Sequence, residues 1–256
     1  MKTSCKKFLC FIYSLFFAGC LLFLNISCGL DEFYYVDAPS VYNKQPIVDR
    51  YSDTDYTERY FEFYTNESGM AEYLDPGSGF SFMGTDIYYK IYNSYDSMVS
   101  ERNSLNEASI KSEYTSATKL IDSYKFLPLK FDGQTKAVLI PASGKNQKVY
   151  VRLSNYQNDI YRARLVIDGV EIGVPRRNSV VGGSFDFGRN AYGSSSIHKI
   201  PVSSDSDVKY SSSSSNGKWY IPMYAVAMGR DSSYTITYSN IFYLGTVCID
   251  QNSEDN

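Results

Sequence analysis

Histidine and tryptophan occur once each, as His198 and Trp219, and of the five cysteines only Cys248 lies beyond residue 28. A single histidine excludes a zinc site built from several histidines of one chain, and the absence of any CxxC pair removes the cysteine-based alternative. One body cysteine cannot close an intramolecular disulfide, so the fold must be held by packing alone. Cys248, in the apolar run LGTVCI, is expected to be a small buried hydrophobe. A basic surplus is also missing. The net charge is -3, and setting aside the first 27 residues, which carry three lysines and no acid, makes it -6. Nucleic-acid phosphates need a basic stripe that this sequence lacks, so nucleic acid is not an expected partner. There is no Walker loop, no GxGxxG and no GxSxG elbow, hence no cradle for a nucleotide and no sign of a hydrolase nucleophile. No repeat of fixed period and no composition break divides the chain.

What is abundant is tyrosine and phenylalanine, 25 and 15 residues, which suit strands better than helical bundles. The N-terminus reads as an export signal. Lys2, Lys6 and Lys7 form a positive n-region, and the uncharged apolar run from Phe8 to Leu24 follows. The run is also near the lower length limit of a membrane span, so an uncleaved anchor is the alternative. Leu24-Asn25-Ile26-Ser27-Cys28 reads as an imperfect lipobox: Ser27 fits the small position before the cysteine, whereas Asn25 stands where leucine is usual. Ala18-Gly19-Cys20 is a rival, but cleavage there would leave LLFLNI exposed. Cys28 is the expected lipidation site, because the apolar run gives way to Asp31 and Glu32 just beyond it. The expected organisation is a lipoprotein signal peptide over 1–27, a lipidated tether over 28–43, a single domain over 44–250 and a frayed tail over 251–256.

In the body, RYFEFYTN (59–66), TDIYYKIYNS (85–94), KAVLIPA (136–142) and KVYVRLSNY (148–156) read as strands, with turn chemistry at Asp75-Pro-Gly-Ser-Gly79. From Ser94 to Tyr124 the steps of three and four among Tyr114, Ala117, Leu120, Ile121 and Tyr124 predict the one helix. Asp168-Gly169 between two apolar runs predicts a hairpin with a type I′ turn. Serine dominates 193–218, which predicts an exposed loop with at most a short strand at 199–202. KWYIPMYAVAMGRD and YTITYSNIFYLGTVCID predict paired strands joined near 229–233.

Cys28-Gly-Leu-Asp-Glu-Phe-Tyr-Tyr-Val-Asp-Ala-Pro39, together with YAVAMGRD and YSNIFYLGTV, resembles predicted lipoproteins of spirochaetes, a group in which an irregular lipobox is typical. The body resembles, more loosely, a fibronectin type III sandwich, with TDIYYKIYNS in the place of the C strand, WYIPMYAVAMGRD of the F strand and SNIFYLGTV of the G strand. It departs from that pattern through the helix and the long insert between C and F. The expected fold is therefore mainly β, an elaborated immunoglobulin/fibronectin III-like β-sandwich with one inserted helix.

Candidate chemistry is sparse. His198 lies in the serine-rich stretch and reads as a solvated histidine. Ser116-Ala-Thr-Lys119 and Ser196-Ile-His-Lys199 match S-x-x-K, but neither S-D-N nor K-T-G accompanies them. Asp53, Asp55 and Glu58, or Asp205 and Asp207, offer carboxylates for glycoside hydrolysis, and Asp186 has no nameable partner; all read as solvated. Tyr34 and Tyr35 are expected to be exposed. No catalytic residue, cofactor or metal ligand is expected. The expected role is non-enzymatic binding or interaction at the bacterial cell envelope, with the membrane engaged through the lipid on Cys28, at the outer membrane, and a protein or carbohydrate as ligand. The alternatives are a carbohydrate-active hydrolase and a structural subunit of an envelope complex.

Overall fold

A computed structural model describes residues 34–44, 58–74, 79–131, 133–153, 162–178, 187, 201–214 and 216–250. The chain separates into two compact units, Met1–Tyr34 and Tyr35–Asn256, and every described residue except Tyr34 belongs to the second. The signal peptide, Cys20, Cys28 and the tail lie outside the described residues.

In chain order the strands are β1 (Ser40–Lys44), β2 (Tyr60–Tyr64), β3 (Phe80–Tyr89), β4 (Ile91–Tyr92), β5 (Leu127–Pro128), β6 (Lys130–Phe131), β7 (Ile140–Pro141), β8 (Lys148–Arg152), β9 (Arg164–Ile167), β10 (Val170–Gly173), β11 (Pro175–Arg176), β12 (Val208–Lys209), β13 (Lys218–Asp231), β14 (Ile236–Tyr238) and β15 (Phe242–Asp250). The helical segment between β4 and β5 consists of α1 (Tyr95–Lys111) and α2 (Glu113–Thr118), followed by a π turn at Lys119–Ser123.

The protein is mainly β, a sandwich with a helical segment inserted. One sheet runs β1-β2-β8-β9-β10, and a larger sheet is built around β13, which pairs with β3 on one side and β15 on the other. Alternation explains the first sheet. Phe61, Phe63, Val149, Val151, Leu165 and Ile167 all point inward at period two, and their neighbours face out. They meet Ile87, Tyr89, Ile91, Ile221, Met223, Ala225 and Val247 of the larger sheet in one core. The opposite face of the larger sheet carries Tyr88, Tyr92, Tyr220, Tyr224, Val226 and Cys248, and this face is covered by Met98, Leu105, Ala117 and Leu120 of the helical segment. Strand β13 is thus buried on both faces, which is why its sequence is an almost unbroken apolar run rather than an alternating one. Pro222 is tolerated there because the β3 ladder ends at Met223 and pairing resumes with Tyr92 opposite Tyr220.

Strand β13 lies between β3 and β15, antiparallel to both. Asp168 and Gly169 both take positive φ, 49° and 82°, as a type I′ turn requires, and they join β9 to β10. Cys248 is fully buried. Three expectations need correction. The helix is interrupted at Ser112, which takes extended angles (φ -157°, ψ 97°) and whose N–H bonds the Ala108 carbonyl. Ser40–Lys44, read as the end of a tether, forms the edge strand β1 against β2, and Val36 before it is buried. The C-terminal half of the serine-rich stretch is not a solvated loop: Pro201 and Val202 are not in a strand, but Val208–Lys209 pairs in parallel with Ile91–Tyr92. No helix among the described residues is long and apolar enough to cross a membrane.

Candidate functional site

Asp205 and Asp207, expected at a solvated surface, are 4% and 0% exposed. The reason is Arg177, itself 1% exposed. Its Nη2 donates to Asp205 Oδ2 at 2.7 Å and to Asp207 Oδ1 at 2.6 Å, and its Nε donates to Asp207 Oδ2 at 2.8 Å. The Tyr89 hydroxyl also donates to Asp207 Oδ2 (2.8 Å) and accepts the Asn178 N–H. Burial works against the Arg177 charge, but the two aspartates outweigh it and raise its pKa. Every oxygen of Asp207 is engaged, so this pair is a structural clamp rather than a pair of carboxylates open to substrate.

A second polar cluster joins α1 to the larger sheet. The Glu101 carboxylate accepts the Tyr92 hydroxyl at 2.5 Å and the Lys90 and Lys209 ammonium groups. Burial pushes Glu101 up, yet the bonds from Lys209 and Tyr92 and the Lys90 charge prevail and hold it below the usual carboxylate range. Burial lowers the Lys90 pKa. The Ser116-x-x-Lys119 match is not a nucleophile and base: Ser116 Oγ donates to Asn240 Oδ1 at 2.6 Å, while Lys119 Nζ donates to Ser104. Glu58 is exposed, as is Tyr35, and Tyr34 is half-buried. His198, Ser196, Lys199, Asp53, Asp55 and Asp186 lie outside the described residues.

Asp86 was not visible as special in the sequence. It sits on β3 opposite Val226, 7% exposed, and its Oδ1 accepts the Leu139 N–H at 2.6 Å. Burial pushes its carboxyl up to about 6, a rise that this hydrogen bond only partly offsets. The ordinary aspartate value in an unfolded chain is about 3.9, so between these two values the folded protein holds a proton that the unfolded chain releases. This contribution to stability is complete below the unfolded value and is lost as pH rises towards the folded one. At pH 7 the charged, buried group costs on the order of 2 to 3 kcal/mol. Asp86→Asn keeps an acceptor for Leu139 and removes the charge, so it is expected to raise stability at about pH 7 by roughly 2 kcal/mol, and by much less at about pH 4. Urea unfolding of both proteins at the two pH values checks this, and equal midpoints at neutral pH would refute it.

An open, charged depression lies on the outer face of the five-stranded sheet. Cross-strand register places Tyr60, Arg152 and Arg164 in one row, and Glu62, Tyr150 and Val166 in the next. Tyr60 and Tyr150 stack at 5.0 Å. The Arg152 guanidinium lies 5.0 Å over Tyr60, and its Nε donates to the Tyr150 hydroxyl at 2.7 Å; the Arg164 guanidinium lies 5.4 Å over Tyr150. A depression of about 370 Å³ is lined here by Glu62, Lys148, Tyr150, Arg164, Val166 and Glu171. Lys148 pairs with Glu62 at 3.8 Å, and Arg162 holds Glu171 through two bonds of 2.6 and 2.5 Å. Among the described residues, Arg164 has no carboxylate partner and its buried Nε meets no acceptor. Sequence reasoning missed this face. Its signal was present as the outward positions alternating with Phe in RYFEFY, with Val in KVYVR and with Ala, Leu and Ile in RARLVI.

Comparison with protein-family models, with curated proteins and with solved structures gives no match. The site therefore rests on its own geometry.

Proposed function

We propose that this chain is a bacterial envelope lipoprotein, cut before Cys28 and held at the outer membrane by its lipid, whose β-sandwich serves non-enzymatic binding. The observation that carries the binding role is the outer face of the five-stranded sheet, where Tyr150, Arg164, Lys148 and two carboxylates line a depression beside the stacked ring of Tyr60. Of the carboxylates that suggested hydrolysis, Asp205 and Asp207 clamp Arg177; in the depression itself, Glu62 and Glu171 each face a basic partner. The anchoring half of the proposal rests on the basic n-region, the apolar run and the Ser27-Cys28 junction, and on the resemblance to spirochaete lipoproteins. Each buried acyl methylene contributes about 0.8 kcal/mol, so a multiply acylated cysteine holds far more firmly than a single chain.

Cys28→Ala is expected to abolish incorporation of labelled palmitate in the native host and to move the protein out of the membrane fraction. Mass spectrometry of the mature N-terminus checks the position, and a lipid found on Cys20, or an intact segment 1–27, would overturn the assignment. Protease treatment of intact cells, with a periplasmic protein as control, distinguishes the two faces. Release of body peptides supports contact with external material, and protection assigns the binding role to the periplasm.

A further inference from the structure

The row Tyr60, Arg152, Arg164 contains a local conflict. Arg152 and Arg164 are direct cross-strand partners on neighbouring antiparallel strands, and like charges directly opposite one another destabilise a sheet. Arg152 is nearly fully buried and is held by two tyrosine rings and a tyrosine hydroxyl. Among the described residues, Arg164 is held by the Tyr150 ring, and its buried Nε meets no acceptor. A partly buried guanidinium without an anion is costly, and folding alone would be better served by a neutral residue at this position. A guanidinium held over an aromatic ring can still present its terminal N–H groups in the fork geometry that matches a carboxylate.

We infer that the depression beside Arg164 binds a carboxylated saccharide, with the ligand carboxylate on the Arg164 guanidinium. The charge balance of the walls decides between ligand classes. Lys148 already compensates Glu62, and Arg162 already compensates Glu171. These carboxylates therefore offer lone pairs to neutral hydroxyl donors rather than an unmatched charge to a ligand ammonium. Among the described lining residues, Arg164 is the cation without a carboxylate partner, so the complementary ligand carries one net negative charge and several hydroxyl groups. Val166 gives the depression an apolar wall, and about 370 Å³ accommodates a single sugar ring with its substituents.

This inference names a ligand class for the proposed binding role and rests on it. The measurement is calorimetric titration of the full chain in detergent, at low salt, with glucuronate, glucose, glutamate and sulfate in separate runs. Glucuronate is expected to bind in the millimolar range, at least tenfold more tightly than glucose. Arg164→Gln is expected to weaken glucuronate binding at least tenfold while the urea midpoint stays the same or rises, which separates lost binding from lost folding. Equal binding of glucose, or unchanged binding in the variant, would overturn the inference. Sulfate binding as tightly as glucuronate would reduce the site to a bare oxyanion site, tighter binding of glutamate would assign it to a zwitterion, and no heat with any of the four would refute it; each overturns the saccharide assignment. Lipidation and cell exposure are read by different assays, so failure here leaves the anchoring proposal standing.

Discussion

Arg177→Met is expected to destabilise the protein by about 3 to 5 kcal/mol, the scale of removing one member of a buried ion-pair network. Methionine replaces much of the arginine stem, so little of the loss comes from a cavity. The loss comes from Asp205 and Asp207, which would remain almost fully buried with their charges unmatched, one of them still tied to the Tyr89 hydroxyl. Since Asp205 also accepts the Val202 N–H at 3.1 Å and the Asp207 carbonyl accepts the Ile91 N–H at 2.9 Å, the segment carrying β12 should detach from β4 first. The diagnostic comparison is the triple variant Arg177→Met, Asp205→Asn, Asp207→Asn, which removes all three charges and is expected to recover more than half of the loss. Urea unfolding measures both. A single variant within about 1 kcal/mol of the parent would show that the clamp is not the constraint that its burial implies.

The contrast between this clamp and the hairpin at Asp168-Gly169 shows where sequence reading stops. The hairpin is local chemistry: two residues suited to positive φ sit between two apolar runs, and nothing distant is needed to specify it. The same holds for β13, whose unbroken apolar run implies burial on both faces, and for Ser94, whose Oγ caps α1 by accepting the Ser97 N–H. Arg177, Asp205 and Asp207 are separated by 28 and 30 positions. Each in isolation is an ordinary surface residue, and only the fold makes the triplet one unit. The break at Ser112 was illegible for a related reason: the three- and four-residue steps from Tyr114 to Tyr124 all lie beyond it, and the interruption coincides with contacts that sequence does not display, such as Ser116 and Asn240 bridging α2 to the segment before β15. The outer face of the five-stranded sheet lies between these cases. Its alternation is visible strand by strand, but which cation meets which ring depends on the register of β2 against β8 and β8 against β9, and that register is set by the inward Phe and Val residues.

Gly84→Ala is expected to cost about 3 to 5 kcal/mol, from strain and overpacking together. Gly84 takes φ +129°, a conformation that side-chain-bearing residues rarely adopt, and a methyl group built there would lie 2.1 Å from the Ile140 carbonyl oxygen and 2.8 Å from the Ala142 nitrogen. Both obstacles are backbone, so no rotamer change relieves them. The chain can only respond by moving β7 away from β3, where Gly84 faces Pro141 and Thr85 faces Ile140. That movement also threatens the Ala142 N–H bond to the Met83 carbonyl, and the Leu139 N–H bond that holds Asp86. Gly133→Ala is the control: φ is also positive there, at +77°, but a methyl group would meet nothing within 4 Å, so about 1 kcal/mol is expected. Amide exchange should locate the damage, with Ala142 and Leu139 losing protection in the Gly84 variant while Val149 and Val151 in the other sheet keep theirs. Loss of protection confined to Gly84 itself, with an unchanged urea midpoint, would mean that β7 is not fixed by this close approach.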